Sequence, residues 1–186
     1  MSDAPQDPNP ADHRVVEQWM GKEVETLEDL LRPGLRAVCV GINPSTVSVA
    51  AGHYYQGALG KRLFARLRRV GLLDRDAERG REDDVAFAAG VGFTDIVKRP
   101  SRSASELRAA EFEHGRQLLV AKLEAHEPAL VIFTFKKAAV TLFGPFPGNG
   151  FVPGLRLASS EVFVMPAPYE SNTTAIPTLE ALAAAA

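Results

Sequence analysis

Residues 37–57 read AVCVGINPSTVSVAAGHYYQG, and this stretch decides the fold. Ala37-Val38-Cys39-Val40 is a short apolar run, partly β-branched, of the kind buried on both faces of a parallel sheet. Gly41 ends it, and Asn43-Pro44 breaks regular structure, because a proline bars the preceding residue from helical conformation. The Asn43 amide is thereby fixed on a turn at the carboxyl end of the strand, the edge where open α/β sheets bind ligands. Small and polar residues follow, then Gly52-His53-Tyr54-Tyr55, two aromatics on a Gly-flanked loop. An amide on a rigid turn with an aromatic nearby suits a planar ligand with a polar edge, so the stretch reads as a candidate nucleobase site. Asn before Pro is also a common turn feature in its own right. The rest of the chain has to decide between the two.

Downstream, residues 59–73 have the pattern of an amphipathic helix. Leu63, Phe64, Leu67 and Val70 form its apolar stripe, and Lys61, Arg62, Arg66, Arg68 and Arg69 occupy other faces. Residues 85–87 read as a short helix or strand leading into a Gly-rich loop that carries Thr94 and Asp95, followed by the basic run Lys98-Arg99-Pro100-Ser101-Arg102. A long helix is predicted from Ser105 to about Ala125, with Leu107, Phe112, Leu118, Leu119 and Leu123 on its buried side. Leu130 to Phe133 is a second buried strand, Lys136 to Phe143 a helix, and residues 144–154 a Gly- and Pro-containing loop. A last strand, 161–165, ends at Pro166-Ala167-Pro168-Tyr169-Glu170-Ser171-Asn172, and a short helix is predicted from about Thr178. Upstream, Val15, Val16, Trp19, Leu27, Leu30 and Leu31 recur at helical spacing, with Gly21 as a break and Thr26 and Asp29 as a cap for a second helix. Strands separated by long helices predict an α/β three-layer sandwich, a mainly parallel central sheet flanked by helices.

The chain has 186 residues, a length suited to one domain, here expected over residues 13–186. Residues 1–12 are rich in Pro, Asp and Asn and are expected to form a disordered tail. The lone Cys39 excludes an intramolecular disulfide and any all-cysteine cluster or zinc site. No apolar run approaches the roughly 20 residues that cross a bilayer, and MSDAPQDPNPAD lacks the basic start and apolar run of a secretory signal. A monomer without membrane contact, resident in the cytoplasm, is the expectation. The net charge of −2 does not advertise nucleic acid, yet residues 61–69 and 98–102 concentrate positive charge locally.

With these stretches in place, the sequence resembles the mismatch-specific uracil/thymine-DNA glycosylases, a branch of the uracil-DNA glycosylase superfamily. Gly41-Ile42-Asn43-Pro44 matches the family's first motif, Gly52-His53-Tyr54-Tyr55 its pocket loop, and Lys61-Arg62-Leu63-Phe64 the helix start behind it. Gly92-Phe93-Thr94 with Val97 and Arg99-Pro100 fits the middle block. Glu111, Gly115-Arg116 and residues 123–128 fit the long helix, and Met165-Pro166 with Pro168 and Ser171 the final motif. The resemblance implies a monofunctional DNA glycosylase that flips uracil, especially opposite guanine, out of double-stranded DNA and hydrolyses its N-glycosidic bond. It further implies that Asn43 holds the attacking water and the base, that Tyr55 stacks on the flipped ring, and that Gly41, Ile42 and Ser45 complete the base pocket. The final loop, with Pro168, Tyr169, Glu170, Ser171 and Asn172, would enter the duplex. Lys61, Arg62, Arg66, Lys98 and Arg99 would hold phosphates. No metal and no organic cofactor is implied.

The departures from the family pattern are informative. Ser45 stands where the family usually has Gly, one extra residue precedes Lys61, and the final loop offers only Tyr169 as a bulky wedge, which predicts weaker discrimination of the opposite base. Asp95 stands where relatives tend to carry Asn or Lys. Asparagine can orient water but cannot deprotonate it. A carboxylate on the same water adds general-base catalysis, roughly 10²–10⁴-fold, or stabilises an oxocarbenium-like sugar. Asp95 is therefore expected to be catalytic beside Asn43. Two other readings stay open here: a glycosylase for uracil in any context, and a silent DNA- or nucleotide-binding module on the same scaffold. A dinucleotide-dependent enzyme is poorly supported, since no G-x-G-x-x-G follows the first strand.

Overall fold

The computed structural model describes residues 12–145 and 148–185, so the expected tail lies, Asp12 apart, outside the described residues. Among the described residues, seven strands and six α-helices follow one another. They are β1 Arg14–Trp19, β2 Lys22–Leu27, β3 Ala37–Gly41, α1 Thr46–Ala51, α2 Ala58–Arg69, α3 Glu82–Ala88, β4 Val91–Asp95, α4 Ala109–His126, β5 Leu130–Phe133, α5 Lys136–Phe143, β6 Gly150–Leu157, β7 Ser160–Val164 and α6 Asn172–Ala185. The central sheet has the order β4-β3-β5-β7-β6. Its first four members run parallel, and β6 is antiparallel to β7.

The period-two alternation of strand side chains sorts the core into two layers. Ala37, Cys39, Phe93, Ile132 and Phe163 point to one face, where α2 brings Leu63, Phe64 and Leu67 and α6 brings Ala175, Leu179 and Leu182. Val38, Val40, Val131, Phe133, Val162 and Val164 point to the other, against Leu119 and Leu123 of α4 and Ala138 and Ala139 of α5. This is the three-layer α/β sandwich predicted from the strand and helix pattern. The chain leaves β3 for β4 on one side and returns to β5 on the other. That topological switch opens a crevice above the carboxyl ends of β3 and β5.

The N-terminal segment corrects the sequence reading. Residues 14–31 are not helical: β1 and β2 form an antiparallel hairpin, closed by Met20 and Gly21 at φ 50° and 80°. Two consecutive positive φ values are what a two-residue primed turn requires, so Gly21 makes the turn instead of breaking a helix. The deciding pattern was the alternation Glu23-Val24-Glu25, with Val24 partly buried between two exposed acids. Thr26 is buried in β2 and does not cap, and the Asp29 carboxylate binds Thr94, Lys98 and Lys122 instead. The hairpin is secured through Leu30, which exchanges backbone hydrogen bonds with Phe93 (2.9 and 3.1 Å) and so covers the outer edge of β4.

Four smaller corrections follow the same logic. Asp95 is the last residue of β4 and not part of a loop after a strand. The long helix starts at Ala109, after a 3₁₀ turn at residues 104–106 capped by Ser103. Residues 150–154 belong to the edge strand β6, whose pairing with β7 is irregular between Phe151 and Arg156; Pro153 and Gly154 are tolerated there because an edge needs no continuous ladder. Helix α6 begins at Asn172, ahead of the predicted 178, and carries Pro177 inside it.

One glycine shows how closely the layers approach. A Cβ on Gly115 in α4 would lie 1.9 Å from the Ile96 carbonyl oxygen and 3.1 Å from the Trp19 ring. Gly115→Ala gains about 1 kcal/mol of helix propensity, but the clash with fixed backbone outweighs it. A net loss of about 1–3 kcal/mol is expected in chemical denaturation; an unchanged or raised midpoint would contradict this packing.

Candidate active site

The crevice at the sheet's carboxyl edge is a cleft of about 820 Å³, lined among others by Ile42, Asn43, Ser45, Tyr54, Tyr55 and Asp95. Parallel pairing of β3 and β4 sets Gly41 opposite Asp95. Beyond the strands the two segments stay zipped, with Ile96 N–H donating to Gly41 O (3.1 Å), Val97 N–H to Ile42 O (2.9 Å) and Ser101 N–H to Pro44 O (3.2 Å). Asn43 closes the seam. Its Nδ2 donates to Arg99 O (3.0 Å), Ser101 Oγ (2.8 Å) and, less closely, Pro44 O (3.2 Å). Two carbonyls among these acceptors fix which end of the amide is nitrogen, and leave Oδ1 as an acceptor for another partner.

Asp95 is 4% exposed, and its Oδ2 has no hydrogen-bond partner among the described residues. Burial pushes its carboxyl up to about 7; the nearby Lys98 opposes the shift, and Asp29 adds to it. A buried carboxylate oxygen left open at the bottom of a cleft is costly, and such groups concentrate where chemistry needs them. The carboxyl fits only because residue 41 is glycine: a Cβ there would sit 2.1 Å from Asp95 Oδ1 and 2.8 Å from the Tyr55 hydroxyl.

Tyr55 adopts φ 57°, rare for an aromatic residue, and its hydroxyl lies 3.2 Å from Thr134 Oγ1 at the end of β5. Gly60 permits this, since a Cβ on it would collide with the Tyr55 carbonyl. Tyr54 turns inward, with its hydroxyl donating to Glu28 O at 2.9 Å. Ser45 caps the unforeseen helix α1, its Oγ accepting from Ser48 N–H at 3.0 Å. The side chain at 45 is therefore committed to local structure, and its extended backbone does not need glycine.

The cations expected to hold phosphates divide. Lys98 is buried, and its Nζ donates to Leu27 O and to Asp29 (3.0 Å). Arg99 forms a bidentate pair with the buried Glu111 (2.6 and 2.9 Å), which holds that carboxyl down at about 2. Arg66 is buried, donating to Pro166 O and to Glu170 O (3.4 Å). For these three the expectation of a phosphate contact is corrected: their charge is taken up inside the fold. Lys61 and Arg62 are exposed on α2, although Arg62 also donates to Pro168 O (3.1 Å). Arg102, from the basic run 98–102, and Lys136 and Lys137, at the start of α5, are exposed on the cleft wall. The sequence signal for the two lysines is their place directly after the carboxyl end of β5.

In the final loop Tyr169 is 73% exposed and lines the cleft. Pro168 is buried. Glu170 turns its carboxylate back onto Ala167 N–H (2.7 Å) and Asn149 Nδ2 (3.0 Å). Ser171 is exposed, and Asn172 opens α6. Among the described residues, no helix is long and apolar enough to cross a membrane.

Fold and cleft together define a three-layer α/β protein in which an amide and a buried carboxyl line one cleft at a topological switch point. A family model described as Uracil DNA glycosylase superfamily matches residues 28–182, and the chain belongs to that superfamily. Membership gives the coarse function, a DNA glycosylase of base excision repair, a hydrolase acting on DNA.

Two outcomes test this geometry. Gly41→Ala forces the Asp95 carboxyl from its place, so stability falls by about 1–3 kcal/mol, and base release from DNA falls further than the loss of folded protein explains. Arg66→Ala removes charged hydrogen bonds to the loop carbonyls and lowers stability by about 1–3 kcal/mol in denaturant titrations. Unchanged stability would show that Arg66 does not brace the loop.

Proposed function

We propose that the protein excises uracil from DNA, with uracil opposite guanine as its principal substrate, and that Asn43 and Asp95 share the hydrolytic chemistry. The observation that carries this reading is that the unpartnered Asp95 carboxyl, the Asn43 amide with its Oδ1 left open, and Tyr55 line one cleft. The flipped base enters the cleft and lies against Tyr55. Such stacking is worth roughly 1–3 kcal/mol per base and offsets much of the unstacking cost, which is least at a mismatch. Asn43 Oδ1 and the Asp95 carboxylate hold one water near C1′. Asp95 takes its proton, or stabilises positive charge on the sugar, as the glycosidic bond breaks and electrons pass to the base. The exposed Lys61, Arg62, Arg102, Lys136 and Lys137 meet the phosphates, and Tyr169 fills the space left in the duplex.

The raised carboxyl sets the pH dependence. Only ionised Asp95 accepts a proton, so kcat/KM rises as pH passes upward through about 7 and levels off above it. For the fold the sign is opposite. The folded-state value lies above the ordinary 3.8, so the group's contribution to stability is full below that value and is lost as pH rises through about 7. Single-turnover base release is to be measured on labelled G·U, A·U and single-stranded uracil substrates with the parent, Asn43→Ala and Asp95→Asn. G·U should be fastest, and each substitution should slow it by roughly 10²-fold or more. Asp95→Asn should also abolish the inflection near 7. Full activity of Asp95→Asn would remove the carboxylate from the mechanism, and binding without release from any uracil substrate would leave only a DNA-binding module.

A further inference from the structure

Away from the cleft, on the far side of the Tyr54–Tyr55 loop, four side chains from three separate segments converge: His13 ahead of β1, His53 after α1, and Asp83 and Asp84 in the first turn of α3. One ligand-capable atom from each lies within 4.8 Å of all the others. We propose that these four residues bind one zinc-class divalent cation, which clasps the N-terminal hairpin and the pocket loop onto α3. The proposal is independent of the uracil reading.

The donor set is chemically apt. Two imidazole nitrogens and two carboxylates suit four-coordinate Zn²⁺, whose bonds of about 2.0–2.2 Å set ligand atoms roughly 3.4 Å apart. The present contacts run close to that spacing: His13 Nε2 to Asp84 Oδ1 is 2.6 Å and His53 Nδ1 to Asp83 Oδ1 3.1 Å, with all four ligand atoms within 4.8 Å of one another. The cluster is also sheltered, with the His13 and His53 side chains 9% and 11% exposed and Asp83 fully buried.

Outer groups hold the two aspartates in the way metal ligands are usually supported. Asp83 Oδ2 accepts from Tyr54 N–H at 2.7 Å, so Oδ1 turns to the cluster. Arg81 occupies Asp84 Oδ2 (2.9 and 3.0 Å) and leaves Oδ1 toward His13. Glu28 lies 3.7 Å from His13 Nδ1, on the side of the ring away from Asp84. The backbone is pinned too. His13 N–H donates to Gly52 O (3.0 Å), and the two imidazoles meet edge to face, 5.3 Å between centroids. The Asp83 and Asp84 carboxylates share this place with one guanidinium, and a divalent cation would add positive charge between them. Because Asp83 also anchors Tyr54, the ion would steady the loop that carries Tyr55 into the cleft.

The test uses untagged full-length protein stripped with chelator and titrated with Zn²⁺, and separately with Co²⁺ as a spectroscopic probe. Expected are one equivalent of metal per chain by elemental analysis, tetrahedral-type Co²⁺ absorption in the visible, and a rise of about 5–10 °C in the unfolding midpoint at a hundredfold excess over Kd. His13→Gln and Asp84→Asn keep hydrogen-bonding shape but ligate poorly, and both should lose all three signatures. Should a variant fail to fold, uptake by the parent chain decides alone. No stoichiometric uptake by the parent, or uptake undiminished in both folded variants, would overturn the proposal and leave a hydrogen-bonded clasp.

Discussion

The approach of the Asp95 carboxyl to the Cα of Gly41 is the contact on which the rest of the cleft depends. It arises from parallel pairing of β3 and β4 in a register that sets these two residues side by side, with no Cβ at 41 to keep them apart. The pairing continues past both strands through Ile96, Val97 and Ser101, so the turn bearing Asn43 is held by the segment that follows Asp95. Amide and carboxyl are thus two outcomes of one backbone register. The Tyr55 hydroxyl sits over the same glycine and ties the pocket loop to β5 through Thr134.

Placing an unpartnered carboxylate under a protein surface needs support from below, and the internal cations supply it. Lys98 and Lys122 converge on Asp29, which also accepts from Thr94, the neighbour of Asp95 in β4. Arg99 locks the segment after Lys98 to the start of α4 through Glu111. Arg66 performs the same service for the final loop by holding its carbonyls. These charges are taken up by partners inside the fold. Arg102, Lys136 and Lys137 remain exposed around the opening, where ionic interactions are screened by salt.

Much of this was legible before any coordinates. The apolar runs 37–40, 130–133 and 161–165 are strands because their length and branching suit two-sided burial, and each appears where its sequence puts it. Asn43-Pro44 marks the carboxyl-edge turn through a local steric rule. Where the reading failed, the local signals were equivocal. Residues 14–31 fit a helical spacing as well as an alternating one, and the β1–β2 pairing, with Leu30 docked on the β4 edge, favours the hairpin. Residues 46–51 carry no apolar stripe, so α1 rests on its Ser45 and Gly52 caps.

The sequence by itself determined the layer order, the strand at 37–40 and the turn at Asn43. Each of these follows from the period, sterics or branching of neighbouring residues. Tertiary structure alone decided which basic residues turn inward, which end of the Asn43 amide stays open, and that His13, His53, Asp83 and Asp84 share one place. The physical reason is range. A lysine or arginine reads the same in a sequence whether it meets water or a carbonyl some seventy residues away, as Lys98 does with Leu27, and only the packing of distant segments distinguishes the two.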